Sequence, residues 1–172
     1  MTPARAARPA RKVSESAHES SVLMMPPDEN SRGHVFGGVI LALMDKAAAV
    51  CAMRHARTSC VTVSVDRVDF REPILVGDLV RMKASANLVG RSTMEIGIRI
   101  EAENMLLGTR RHTNSCYVTY VALDRDGRPT EVPSLVLETD ADRRRNAAGR
   151  ERRRRRDEER ALDHERGGRG VA

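Results

Sequence analysis

The stretch VFGGVILALMDKAAAVCAMRHAR, residues 35–57, decides how the rest of the chain is arranged. Its length and alanine content predict a helix, and apolar residues on nearly every face predict a buried one. Gly37 and Gly38 near its start leave room for another backbone or a ligand to reach the first N–H groups. Downstream the period changes from helical to two. Cys60–Phe70 sets Val61, Val63 and Val65 against Thr62, Ser64 and Asp66, then continues through Val68 and Phe70. Leu79–Val89, Ser92–Glu103 and Thr109–Leu123 follow as strands, with turns at Gly90-Arg91, Asn104–Gly108 and Asp124–Gly127. Upstream, Ser21–Met25 is a short strand ended by Pro26-Pro27. One strand, one central helix and a hairpin series define an α+β fold, a five- to six-stranded antiparallel sheet wrapped around the helix.

Composition narrows the function. The chain has 172 residues, 40% of them hydrophobic, which is enough for one domain with a real core. With two Phe, two Tyr and no Trp, a binder that stacks single-stranded bases on aromatic rings is disfavoured. Cys51, Cys60 and Cys116 show no CxxC spacing, so neither a disulfide framework nor a zinc site is indicated, and the histidines show no metal spacing. No apolar run nears the roughly 20 residues of a membrane span, and the reading is a cytoplasmic protein.

The net charge of +6 belongs to the ends. Residues 1–12 carry +4 and residues 143–172 carry +6, whereas residues 13–142 are net −4. We therefore expect a disordered basic extension over 1–20, a folded domain over 21–142, and an Arg-rich tail over 143–172 that is a solvated helix or disordered, with no apolar stripe to bury. An Arg-rich, acid-poor N-terminus also fits a transit peptide. Basic tails on an acidic body do not make a nucleic-acid-binding domain, although the Arg152–Arg156 run offers a polyanion contact.

Three groups of residues can carry chemistry. Asp45 sits within the apolar helix, where an unpartnered carboxylate would cost several kcal/mol, or else it marks an exposed stripe. Asn30, His34, Gly37 and Gly38 surround the helix start, where free N–H groups suit a developing oxyanion and ordinary capping is the plainer reading. Arg91-Ser92-Thr93 and Arg110-Arg111 lie at predicted strand ends and can meet phosphates or simply solvent. No GxGxxG, Walker A or GxSxG sequence occurs.

The order of Met25–Asn30, Gly33–Gly38 and Leu43-Met44-Asp45, followed by Val61–Asp66, Ser92–Ile96, Glu103–Thr109, Thr113-Asn114, Val132-Pro133 and Glu138-Thr139, resembles the hotdog-fold acyl-CoA thioester hydrolases of the cytosolic, brain-type branch. The likeness covers residues 21–142 and adds specificity through order and spacing rather than one motif. It implies a long helix wrapped by an antiparallel sheet. It also implies hotdog dimers built up to a trimer of dimers, with acyl-CoA as substrate and active sites between protomers. Asp45 becomes a general base or nucleophile, and Asn30 of the neighbouring protomer orients water or carbonyl. The Gly37-Gly38 backbone takes the oxyanion. Coenzyme A contacts map to Val63-Ser64-Val65 and Ser92-Thr93-Met94; Arg91, Arg110 and Arg111 as phosphate partners are our addition. The acyl tunnel is expected among residues such as Met44, Met94 and Leu88. No metal or bound cofactor is required, because coenzyme A is part of substrate and product. The rival readings are a non-catalytic acyl-CoA sensor, possible polyanion binding through the tail, and a hydratase, whose Asp/His arrangement is absent.

Overall fold

The computed structural model describes residues 9–167. The elements in chain order are β1 (Ala10–Lys12), α1 (Val13–Ser16), β2 (His18–Leu23), α2 (Gly37–Ala56), β3 (Ser59–Val65), β4 (Asp78–Val89), β5 (Thr93–Asn104), β6 (Thr109–Leu123), β7 (Ser134–Val136) and α3 (Asp140–Gly167). Five strands form one antiparallel sheet in the order β2-β4-β5-β6-β3, and α2 lies across its concave face. Ile40, Met44, Ala48, Cys51 and Ala52 of α2 pack on Met82, Met94, Ile96, Ile98, Ile100, Val118 and Tyr120, all nearly or wholly removed from water. The small residues of α2 matter because they let a helix axis sit close inside a curled sheet. Arg57, in the left-handed conformation with φ 58°, ends the helix.

Three expectations need correction. Residues 10–20 are not a loose extension: β1 pairs in parallel with β7, Val13 is buried, and β2 begins at His18 rather than Ser21. What holds this segment is polar. Ser16 Oγ lies 3.3 Å from His55 Nδ1, and His55 Nε2 lies 3.1 Å from the Pro133 carbonyl, so a fully buried imidazole ties it to the chain after β6. Basic residues 1–8 lie outside the described residues.

The strand over 60–70 stops at Val65. A bulge between Thr62 and Ser64 shifts its register on β6, after which only isolated backbone bonds follow, Asp66 N to Tyr117 O and Arg71 N to Thr113 O. The chain instead carries Phe70 to the start of α2, where its ring fills the space beside Gly37.

The Arg-rich tail is a helix packed on the sheet by charge rather than by an apolar stripe. Thr139 and Asp142 cap α3 reciprocally, the Asp142 carboxylate accepting from Thr139 N at 3.0 Å and Thr139 Oγ1 accepting from Asp142 N at 3.1 Å. Arg152 and Arg156 then grip Glu95, which is 3% exposed, at 2.6 and 2.8 Å, and Arg156 also reaches Asp66 at 2.7 Å. The Arg152 guanidinium stacks 3.5 Å over the Tyr117 ring. Arg153, Arg154 and Arg155 pair with Asp157, Glu151 and Glu158 along the helix, which lowers the charge open to a polyanion. Glu95→Ala leaves two half-buried guanidinium groups facing each other. Its expected cost is about 2–3 kcal/mol, below a fully buried pair because both arginines keep some water. The readout is a Tm lower by roughly 5–10 °C, with earlier proteolytic nicking in α3.

Candidate active site

Asp45 projects from the middle of α2 toward β3 and β6. Two hydroxyl groups meet it. Thr62 Oγ1 donates to Asp45 Oδ1 at 2.8 Å, and Tyr120 Oη donates to the same oxygen at 2.6 Å. Tyr120 Oη also lies 2.9 Å from the Asp45 carbonyl. The sheet register explains the convergence: Thr62 pairs with Tyr120, and Tyr120 with Met94, so the three form one row across β3, β6 and β5 on the concave face. Of the alternatives for Asp45, the structure shows a half-buried carboxylate held by hydroxyl donors rather than a free stripe residue.

The start of α2 lies uncapped. Its N-cap position is Phe36, whose side chain has no acceptor, so the Gly37 and Gly38 amides have no partner within the helix. Phe36 and Phe70 flank these amides: a Cβ at Gly38 would fall on the Phe36 ring, and one at Gly37 would sit 3.4 Å from Phe70. Both rings are about half exposed, so the N–H groups sit between apolar walls open on one side. Asn30 lies in the loop leading to this point. Its Oδ1 accepts from Arg32 N at 2.8 Å and His34 N at 3.3 Å, while its amide nitrogen has no hydrogen-bond partner among the described residues. Among the described residues no hydrogen bond joins Asn30 to Asp45.

The flank of the site is apolar and open. Val61, Val63 and Val65 are 42–53% exposed on β3, an edge strand of the sheet, and Leu41 of α2 is 38% exposed nearby. An edge strand with exposed valines is a template for pairing with another copy. A cavity of about 420 Å³ lined by Asn87, Gly97, Tyr117 and Arg145 opens elsewhere, and none of the residues at Asp45 lines it.

Other expected site residues are scattered. Ser64 faces Thr119 on the convex side, its hydroxyl buried without a partner. Ser92 lies in the turn before β5 and Thr93 begins the strand, whereas Met94 and Met44 are fully buried in the core. Leu88, expected in a tunnel, instead opposes Glu95 under α3, because a bulge between Ala86 and Leu88 turns it to the convex face. Arg111 is committed to Asp78 at 2.6 Å and to the Pro73 carbonyl at 2.9 Å. Arg110 pairs with Glu103 at 2.9 Å, and Arg91 lies 3.7 Å from Glu131. Arg110 and Arg111 thus answer to acids of their own chain rather than forming a free phosphate site. Sequence reasoning missed Thr62 and Tyr120, although an in-helix carboxylate invites a search for hydroxyl residues on the strands beneath it.

A long helix inside a five-stranded antiparallel sheet, with a carboxylate at mid-helix and an uncapped Gly-Gly start, defines a hotdog domain. The model of the thioesterase superfamily matches residues 32–109. VdlD of Helicobacter pylori is 41% identical over 125 residues, covering 73% of this chain and 71% of that protein. The uncharacterised acyl-CoA thioester hydrolase YkhA of Bacillus subtilis is 35% identical over 130 residues, 76% of each chain. Among solved structures, an apo-hexameric acyl-CoA thioesterase superposes with a TM-score of 0.87 at 35% identity, covering 90% of this chain and 99% of that one. The acyl-CoA hydrolase of Staphylococcus aureus, solved with butyryl coenzyme A and coenzyme A, gives 0.85 at 32% identity, covering 91% and 96%. The chain belongs to the thioesterase superfamily, among its hotdog acyl-CoA thioester hydrolases.

Proposed function

We propose that the protein hydrolyses acyl-CoA thioesters to a free acid and coenzyme A, with Asp45 as general base. The observation that carries this is a half-buried carboxylate whose Oδ1 takes two hydroxyl donors while Oδ2 takes none among the described residues. Asp45 Oδ2 removes a proton from water as the water oxygen bonds to the thioester carbonyl carbon. The carbonyl oxygen gains negative charge, which the Gly37 and Gly38 amides of the neighbouring protomer receive at the positive end of its α2, because about 12 Å of helix separates these amides from Asp45 within one chain. Collapse of the intermediate breaks the C–S bond. A thiol has a reference pKa of about 8.5, so the coenzyme A thiolate departs with little protonation. These residues supply base and oxyanion contacts themselves, so the reading uses no metal or bound cofactor.

Asn30 acts from a neighbouring protomer, donating its amide N–H to the water or the carbonyl. The S. aureus relative has been solved as alanine variants of an asparagine, an aspartate and a threonine, the residue types this reading uses. Dimers join through the β3 edge, and the hexameric relatives support their assembly into a trimer of dimers. Among the described residues no helix is long and apolar enough to cross a membrane. The three cysteines are free, and burial pushes Cys51 to about 12 and Cys60 to about 11, so neither of these thiols competes with Asp45 as a nucleophile at neutral pH. We place the activity in the cytoplasm, in fatty-acid metabolism.

The test is release of free thiol from acyl-CoAs of short to long chain. Saturable turnover on at least one chain length is expected. Tight binding of acyl-CoA with no turnover on any would overturn the reading in favour of a sensor.

A further inference from the structure

We propose that Tyr120 is a positioning residue that, with Thr62, commits one oxygen of Asp45 to the scaffold and leaves the other for chemistry. The inference rests on the thioesterase reading and adds to it the group that makes the two carboxylate oxygens inequivalent.

A carboxylate at the end of two rotatable bonds presents either oxygen to a substrate unless something breaks the symmetry. Here both hydroxyl donors land on Oδ1, at 2.8 Å from Thr62 and 2.6 Å from Tyr120. Tyr120 contributes more than a second bond, because its hydroxyl also approaches the Asp45 main-chain carbonyl at 2.9 Å. The side-chain oxygen is thereby fixed relative to its own backbone, and the torsions between them are pinned. Thr62 sits on an edge strand beside a bulge, a site that moves more easily. Tyr120 lies mid-strand on β6, 1% exposed, with β3 on one side and β5 on the other. The rigid element therefore carries the shorter bond. Burial, and then the neighbouring carboxylate, hold the phenol above its ordinary pKa, so it stays a donor through the working pH range. A tyrosine that merely satisfied its own buried hydroxyl would need only the main-chain carbonyl.

Tyr120→Phe keeps the ring that packs the core and deletes the oxygen. A group acting only through the chemical step lowers kcat, and the expected loss is roughly 10- to 100-fold with KM within about twofold of wild type. In the Asp45→Ala background the same substitution should lower the residual rate no further, since the group it positions is gone. Thermal unfolding of both proteins is recorded alongside, and Tyr120→Phe should remain folded. Wild-type kcat in Tyr120→Phe, with Asp45→Ala inactive, would overturn this inference alone. An equal loss from Tyr120→Phe with or without the Asp45 carboxylate would also overturn it, by showing a general packing role. Full turnover by Asp45→Ala would instead overturn the functional reading beneath it. If Tyr120→Phe does not fold, Thr62→Val removes the other donor to Oδ1 from an edge strand and should lower kcat with KM within about twofold of wild type. Wild-type kcat in a folded Thr62→Val would overturn the inference.

Discussion

Asp45→Ala is expected to assemble as the wild type does and to lose about three orders of magnitude in kcat, the middle to upper range for a positioned general base. The fold should survive because the carboxylate is a guest of the hydroxyl groups around it. Tyr120 keeps the main-chain carbonyl of residue 45 as an acceptor, 2.9 Å away. Thr62 faces the open substrate site, where water replaces the lost oxygen. Removing a half-buried charge also lifts a desolvation cost from α2, so stability should be unchanged or slightly higher. Thiol release under saturating acyl-CoA measures kcat, and sedimentation measures assembly. An assembled variant with wild-type turnover would remove Asp45 from the mechanism, leaving the hotdog fold with no base at this site. The oxyanion contacts should leave a residual rate above that in water, because Gly37 and Gly38 are untouched.

How much of this could be read in the sequence depended on whether the stabilising interaction leaves a periodic trace. Residues 35–57 and the strands β4, β5 and β6 were legible because each buries an apolar face over a dozen or more residues. Asp45 and the glycines stood out against that background as departures from it. The segment from Ala10 to Ser20 was illegible because its alternating exposure is carried by Glu, Ser and His rather than apolar side chains. Its anchors are backbone ladders and one imidazole, His55, which no sequence spacing singles out. For a similar reason the sequence of α3 reads as either a solvated helix or disorder. Its docking residues Asn146, Gly149, Arg152 and Arg156 do recur at spacings of three and four, but they are polar, and their counterpart Glu95 looks like any outward residue of an alternating strand. On β3 the alternation is broken: the bulge leaves Thr62 facing the helix and Ser64 the convex side, and Val61, Val63 and Val65 all stay exposed. Exposed valines on an edge strand suit pairing with a second copy, which no single chain's periodicity reveals.

The same exposed edge predicts the behaviour of mixed oligomers. Asn30→Ala and Asp45→Ala, each expected to be nearly inactive alone, should together recover about a quarter of wild-type activity when co-assembled from equal amounts. In an isologous dimer each site takes Asn30 from one protomer and Asp45 from the other. A dimer containing one of each variant then has one site lacking both groups and one site lacking neither. Random pairing makes half the dimers mixed, and half of their sites are intact. The expectation follows from the open flank of Asp45, the valines exposed on β3 beside it and the amide nitrogen of Asn30, which meets neither Asp45 nor any other partner among the described residues. Mixing the separately purified oligomers without denaturation provides the control, since exchange must precede recovery. Recovery that follows subunit exchange would place the two groups on different protomers. A co-assembled mixture no more active than its components would place both groups in one chain's site, with Asn30 reaching Asp45 by a rearrangement of the 29–35 loop.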